Sequence, residues 1–251
     1  MKIDLNADVG ESYEEKIIGN DSELIPLVSS VNIACGFHGG DPLTMKRTIE
    51  IAIRSGAKIG AHPSFADLEN FGRKAMDVPP EKLEAQILYQ LSALSGMLAS
   101  QGQTLHHVKL HGALYHHVSE NAEAGNAVLN AIQSHCPSAF VVAAAGSKFL
   151  ARAAARRMRV QSEGFVDRRY QNDGTLTPRS QKGSSLETEE ECLKQALEIA
   201  RSKTVTAQDG TKIPMKADTL CIHGDHVHSV AVAKKIRKGL EDAGFKITSF
   251  I

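Results

Sequence analysis

Two periodicities alternate along the chain. Short runs with apolar and polar side chains in strict alternation give way to longer stretches in which apolar residues recur every three or four positions. Strand-like runs fall at 2–8, 31–36, 57–62, 107–114, 139–145, 159–165 and 219–223, and a helical stretch follows each of the seven. Asp41-Pro42 joins an N-cap to a proline at the first helical position. Pro79-Pro80-Glu81 opens the longest helix, in which Leu83, Ile87, Leu91, Leu94 and Leu98 share one face, and Gly102 stops it. Ser119 is expected to cap the fourth helix, and Thr188 with three following acids opens the sixth. Val232, Ile236 and Leu240 line the seventh, which Gly244 ends. One stretch breaks the rhythm: Asp209-Gly210 between two short extended runs predicts a β-hairpin excursion at 204–215.

Repeated strand-helix units predict an α/β fold with parallel strands and right-handed crossovers. No Gly-rich dinucleotide loop and no Walker-type loop follows any strand, and no linker divides the chain. The expected architecture is a single domain over residues 1–251, an irregular β/α barrel of seven strands rather than eight.

The alternation assigns faces. Ile3, Leu5, Val31, Ile33, Ile59, Val108, Leu110, Leu220 and Ile222 turn outward, toward the helices. Asp4, Asn6, Asp8, Asn32, Gly60, His62, Lys109, His111, Cys221, His223 and Asp225 then follow the inner track, with His38 beyond the second strand. Barrel interiors are ordinarily apolar, and buried polar groups are costly unless paired. So polar an interior, crowded toward the C-terminal strand ends, predicts a site at that face.

Asp8, at a strand end, is a candidate base, while the deeper Asp4 orients a neighbour. Lys109 requires an acidic partner, which Asp8 or Asp4 can supply. His38 and His62 end strands beside Gly or Pro and can serve as bases or, with Asp8, as ligands of a divalent metal. His107 and His111 have a spacing that shares a metal only on a helix; on a strand they stand roughly 13 Å apart. His226 and His228 are placed in the first turn of the last helix. Arg168 and Arg169 offer guanidinium groups suited to a carboxylate. The glycine-rich 36–42 stretch before a helix is a weak anion-binding signal.

Composition narrows the class. Hydrophobic residues make up 42% and charged residues 23%, and 29 basic residues balance 29 acidic ones. Nothing suggests a nucleic-acid partner. No run approaches the roughly 20 apolar residues of a membrane helix, and the N-terminus lacks a signal-peptide pattern, so a cytoplasmic location is expected. Four widely spaced cysteines read as reduced, buried thiols.

Six ordered segments carry a family likeness: Asp4-Leu-Asn-Ala-Asp-Val-Gly-Glu11, Asn32-Ile-Ala-Cys-Gly-Phe-His-Gly-Gly-Asp-Pro42, Gly60-Ala-His-Pro-Ser64, Val108-Lys-Leu-His-Gly-Ala-Leu-Tyr115, Phe165-Val-Asp-Arg-Arg-Tyr170 and Cys221-Ile-His-Gly-Asp225. With them the chain resembles the LamB/YcsF family from first strand to last. It departs at Leu110 and Gly39, where Pro and Ala are common, and neither change removes a chemical group. The resemblance implies a β/α barrel of the glycoside hydrolase/deacetylase type. It also implies a subunit of an ATP-dependent 5-oxoprolinase, which cleaves 5-oxoproline to glutamate with partner subunits B and C, with ATP as cosubstrate bound mainly by those partners. On that reading Asp8, with His38 or His62, activates water, and Lys109 and His111 stabilise charge on the lactam oxygen. Arg168 or Arg169 takes the substrate carboxylate, with Asn6, His223 and Asp225 also lining the substrate. Two rivals are a metal-dependent amide hydrolase or deacetylase, and a non-catalytic subunit that presents substrate.

Overall fold

The computed structural model describes residues 1–225 and 228–250. Its strands are β1 (Lys2–Val9), β2 (Ser30–Ala34), β3 (Lys58–His62), β4 (His107–Lys109), β5 (Phe140–Ala144), β6 (Val160–Phe165), β7 (Thr204–Thr206), β8 (Lys212–Pro214), β9 (Thr219–Ile222) and β10 (Lys246–Ile247). Strands β1 to β6 pair in parallel in chain order, and β9 pairs with both β6 and β1, which closes a seven-stranded parallel barrel. Strands β7 and β8, outside the barrel, form the antiparallel hairpin expected at 204–215.

The register explains the polar interior. Residues paired across neighbouring strands share a face. Asp4 lies opposite Thr219, Asn6 opposite Cys221, Asp8 opposite Asn32, Asn32 opposite Gly60, Gly60 opposite His107, and Glu163 opposite Thr219. All of these point inward. The outward set Ile3, Leu5, Val31, Ile33, Ile59, Val108, Leu220 and Ile222 is buried beneath the helices. Gly60 is required where it stands, because a Cβ there would overlap the His107 ring that crosses the barrel.

The helices are α1 (Asp21–Leu24), α2 (Pro42–Ser55), α3 (Pro80–Ala99), α4 (Gly112–Glu120), α5 (Ala122–His135), α6 (Lys148–Ala155), α7 (Glu189–Leu197) and α8 (Ser229–Asp242). Asp41 caps α2 by accepting from the Leu43 and Thr44 amides. Leu83, Ile87, Leu91, Leu94 and Leu98 of α3 are fully buried, each such side chain stabilising the fold by about 1.5–3 kcal/mol. Thr188 and Glu191 form a reciprocal capping box on α7.

Three expectations are corrected. Strand β4 stops at Lys109, not at 114, because Gly112 turns the chain with φ 58° and starts α4. Ser119 is not a cap: it lies in the last turn of α4, and Asn121, extended at φ −96°, caps α5 through the Ala124 amide. His228 stands just before α8 rather than inside it; His226 lies outside the described residues.

An additional strand, β10, is too short to read from sequence. It pairs with Lys2 and Ile3 of β1. Just beyond it, Phe250 packs on Phe140 (centroids 4.9 Å apart), His106 (5.0 Å) and His107 (5.6 Å). This aromatic group stands at the end of the barrel opposite the C-terminal strand ends. No helix among the described residues is long and apolar enough to cross a membrane.

Candidate functional site

Lys109, at the end of β4, organises the interior. Its Nζ is 2.9 Å from Asp8 Oδ1, 2.9 Å from Glu163 Oε1, 3.2 Å from Asn6 Oδ1 and 2.9 Å from Cys221 Sγ. Burial alone would lower this ammonium, but Asp8, with Cys221 and Glu163, holds it well above its ordinary range. The neighbours are bound in turn. Asn32 donates to Asn6 Oδ1 and Asp8 Oδ1, each at 2.8 Å, and Tyr115 donates to Glu163 at 2.9 Å. His107 Nε2 is 2.8 Å from Asn32 Oδ1. Asp4 sits deeper, accepting from Ser29, Ser30 and Thr219, and burial pushes its carboxyl up to about 6 despite those bonds.

Toward the C-terminal mouth, Asp8 turns its second oxygen to His62 Nε2 at 3.5 Å. Burial works to raise Asp8, but His62 and Lys109 outweigh it and hold the carboxyl well below the usual range. His62 Nδ1 donates to the Lys109 carbonyl at 2.8 Å, which fixes the ring. His111 Nε2 donates to the Phe71 carbonyl at 2.8 Å, and its Nδ1 lies 3.1 Å from His62 Nε2. His38 stacks flat on His111, with centroids 3.7 Å apart and planes at 8°. Glu11 Oε1 approaches His38 Nε2 at 3.3 Å and His111 Nδ1 at 3.4 Å. Burial pushes both rings well down and, together with the Asp8 charge, pushes Glu11 well up.

A second histidine arrangement faces this one. His223 follows β9, and its Nδ1 lies 2.9 Å from Asp167 Oδ2, which also accepts the His223 amide at 3.0 Å. The His223 ring stacks on Phe165. Burial opposes the charge on Asp167, but His223 wins and brings it down to about 2. Asp225 pairs with Arg73 at 2.6 Å, and the Arg73 guanidinium lies over the Phe71 ring.

The structure thus brings together Asn6, Asp8, His38, His62, Lys109, His111, His223 and Asp225, as the alternation predicts. The two arginines are placed otherwise. Arg168 is buried and donates to the carbonyls of Thr177 and Ser184, so it pins the 167–186 excursion. Arg169 pairs with Glu191 at the start of α7, at 3.1 Å, away from the polar interior. Sequence reasoning missed Glu11, Glu163, Tyr115, Asp167, Phe71 and Arg73. Asp167 and Tyr115 lie within recognisable segments, and Glu11 ends the first of them.

The chain is similar to known proteins in both sequence and fold. The LamB/YcsF family model matches residues 3–251. The chain is 41% identical over 249 residues to the A subunit of 5-oxoprolinase from Bacillus licheniformis, spanning 99% of this chain and 98% of the relative. The crystal structure of the lactam utilization protein from Thermus thermophilus superposes with a TM-score of 0.94 at 42% identity, covering 100% of each chain. A family 4 carbohydrate esterase from Streptomyces lividans shares the fold alone, with a TM-score of 0.52 at 9% identity over 100% of this chain and 92% of that one.

Proposed function

The chain belongs to the LamB/YcsF family, and on that premise we propose that it is the A subunit of an ATP-dependent 5-oxoprolinase. With partner subunits B and C, in the cytoplasm, it opens the lactam of 5-oxo-L-proline to L-glutamate. One observation carries this reading. The six segments that bear the family likeness are the segments that supply Asp8, His38, His62, Lys109, Asp167 and His223 to a single buried cluster.

The chemistry explains the need for ATP. A lactam carbonyl is a poor electrophile, and glutamate recloses readily. Transfer of the γ-phosphoryl group to the lactam oxygen makes the carbon reactive and releases ADP. A first water adds to that carbon, and the C–N bond breaks as the ring nitrogen takes a proton. A second water then releases phosphate from the resulting γ-glutamyl phosphate, so one lactam, one ATP and two waters give glutamate, ADP and phosphate.

The site geometry suits the water steps. His223 is held through Nδ1 by Asp167, and its Nε2, without a hydrogen-bond partner among the described residues, is placed to take a proton from water. Asp8 is committed as an anion by Lys109 and Asn32, so it is a weak base and acts by holding Lys109 and the His62 ring in place. Arg168 is buried and engaged by backbone carbonyls, so the substrate carboxylate is assigned to Arg73, a partly exposed guanidinium at the mouth that would exchange its Asp225 partner for it.

The test is glutamate release from 5-oxoproline and ATP by this chain alone, by B and C together, and by all three. Activity confined to the full mixture is expected. Glutamate formed by B and C alone, or no activity from three folded and associated proteins, overturns the proposal. ATP-independent hydrolysis of an amide by this chain alone would select the hydrolase rival instead.

A further inference from the structure

Four potential ligand atoms at the mouth have the spacing of a coordination shell, and because His38 and His111 are stacked face to face, one of these two rings must turn for both lone pairs to reach a common ion. Glu11 Oε1 lies 3.3 Å from His38 Nε2 and 3.4 Å from His111 Nδ1, and His111 Nδ1 lies 3.1 Å from His62 Nε2. Tetrahedral bonds of about 2.0–2.1 Å to a dication place neighbouring donors about 3.3 Å apart. One atom from each of the four residues falls within 4.8 Å of all the others, and all four side chains are buried.

Hydrogen bonding leaves this space needing either a proton or a cation between its acceptors. His62 Nδ1 and His111 Nε2 both face backbone carbonyls, which can only accept, so each of these nitrogens carries the N–H. With one proton on each ring, His62 Nε2 and His111 Nδ1 face each other as acceptors at 3.1 Å, and Glu11 Oε1 and Asp8 Oδ2 close in beside them, so the group calls for a shared proton or a cation. His38 does not resolve this. Its Nδ1 is buried without a hydrogen-bond partner. If the ring proton is on Nε2, Nδ1 is an unpaired acceptor; if it is on Nδ1, an N–H is left without an acceptor and a further lone pair converges. Buried polar atoms are rarely left in this state.

The outer contacts match the pattern that orients ligating histidines, in which the second ring nitrogen donates to a carbonyl. For His111 that carbonyl belongs to Phe71, a non-glycine residue held at φ 56°. Such backbone conformations persist where surrounding structure demands them and cluster at functional sites. The Phe71 ring packs on His38 and His111, with centroids 5.5 and 5.1 Å away, and covers the cluster.

The geometry points to a four-coordinate transition-metal site formed by Glu11, His38, His62 and His111, which takes Zn2+ or a similar dication. Three imidazoles favour such an ion over Mg2+, which prefers oxygen ligands. Compared with the Asp8, His38 and His62 set read from sequence, Glu11 and His111 join and Asp8 stands beside the site. Asp8 Oδ1 is occupied by Lys109 and Asn32, and its Oδ2 lies near His62. No step of the lactam reaction enters this inference, and its test is independent of activity.

The experiment uses the full chain, stripped with a chelator and titrated with Co2+ and Zn2+. One Co2+ per chain is expected, with the intense visible absorption of four-coordinate Co2+, and Zn2+ should abolish that band by displacement. Excess Mg2+ should not. Glu11→Gln and His111→Gln should each weaken Co2+ binding at least tenfold, whereas His135→Gln, on the outer helix α5, should leave it unchanged. X-ray absorption of the wild-type Zn2+ complex should show a low-coordinate shell of nitrogen and oxygen with imidazole scattering, a readout that needs no variant to fold. The inference is overturned if the stripped wild-type chain binds neither ion stoichiometrically, or if Mg2+ displaces Co2+. It is also overturned if a folded His62→Gln/His111→Gln variant binds Co2+ as tightly as wild type, or if the absorption spectrum lacks imidazole.

Discussion

Lys109 Nζ lies 2.9 Å from Glu163 Oε1, so a cation from β4 meets an acid from β6 in the middle of the barrel. Asp8 holds the same ammonium at 2.9 Å. Removing the cation leaves two buried carboxylates facing each other. Lys109→Met should therefore cost about 3–5 kcal/mol, read from urea unfolding. Adding Glu163→Gln to that variant should recover part of the loss, and simple additivity of the two substitutions would disprove the coupling.

Asp4 should give stability a pH dependence opposite to that of an ordinary ion-paired carboxylate. Its native value of about 6 lies above the ordinary 3.8, so the folded state holds the proton more tightly. The resulting term, about 3 kcal/mol, is fully present below the unfolded value and is lost as pH rises through about 6. Asp4→Asn cannot ionise. The stability difference between wild type and variant should therefore shift in the variant's favour between about pH 4 and pH 7, and a flat difference would refute this.

The Asp167–His223 contact predicts both a stability term and a kinetic one. Asp167 is depressed from 3.8 to about 2, so its contribution of about 2 kcal/mol is present above the unfolded value and lost as pH falls through about 2. In the assembled enzyme, Asp167→Asn should lower kcat by about 10²-fold or more, because His223 loses the carboxylate that fixes its tautomer and stabilises its charged form. Steady-state rates of glutamate release check this; an unchanged kcat would remove His223 from the proton-transfer role.

Gly60 and His107 should behave as a coupled pair. A Cβ at residue 60 would overlap the His107 ring. Gly60→Ala is expected to cost about 1–3 kcal/mol. In a His107→Ala background the same change should cost much less, which thermal unfolding of the four proteins can measure.

Much of this interior was legible because β1, β2, β4 and β9 place an apolar residue opposite every polar one, so the face of Asn6, Asn32, Lys109 or Cys221 follows from its neighbours. Strand β6 hides its face. Gln161, Ser162, Glu163 and Gly164 include no apolar residue to mark the outside, so Glu163 was invisible until the register placed it opposite Thr219. Glu11 lies beyond the strand, and its burial comes from the chain folding back over it: the Gly40 amide donates to the Glu11 carbonyl at 3.2 Å. Arg169 shows the converse limit. Its position beside a strand end suggested the site, but the direction of its side chain depends on Glu191, 22 positions later.

The pairing of residues 4–7 with residues 219–222 has a consequence for how the protein is made. A nascent chain on the ribosome can lay down β1 to β6 in order, yet its ring stays open until β9 emerges. During that interval Lys109 can already meet Asp8 and Glu163, whereas the Cys221 contact is still missing. The open edges of β1 and β6 are then templates for a neighbouring chain. Ribosome stalling upstream of residue 219 should accordingly yield aggregation-prone intermediates, while stalling after β9 has cleared the exit tunnel should yield a closed barrel.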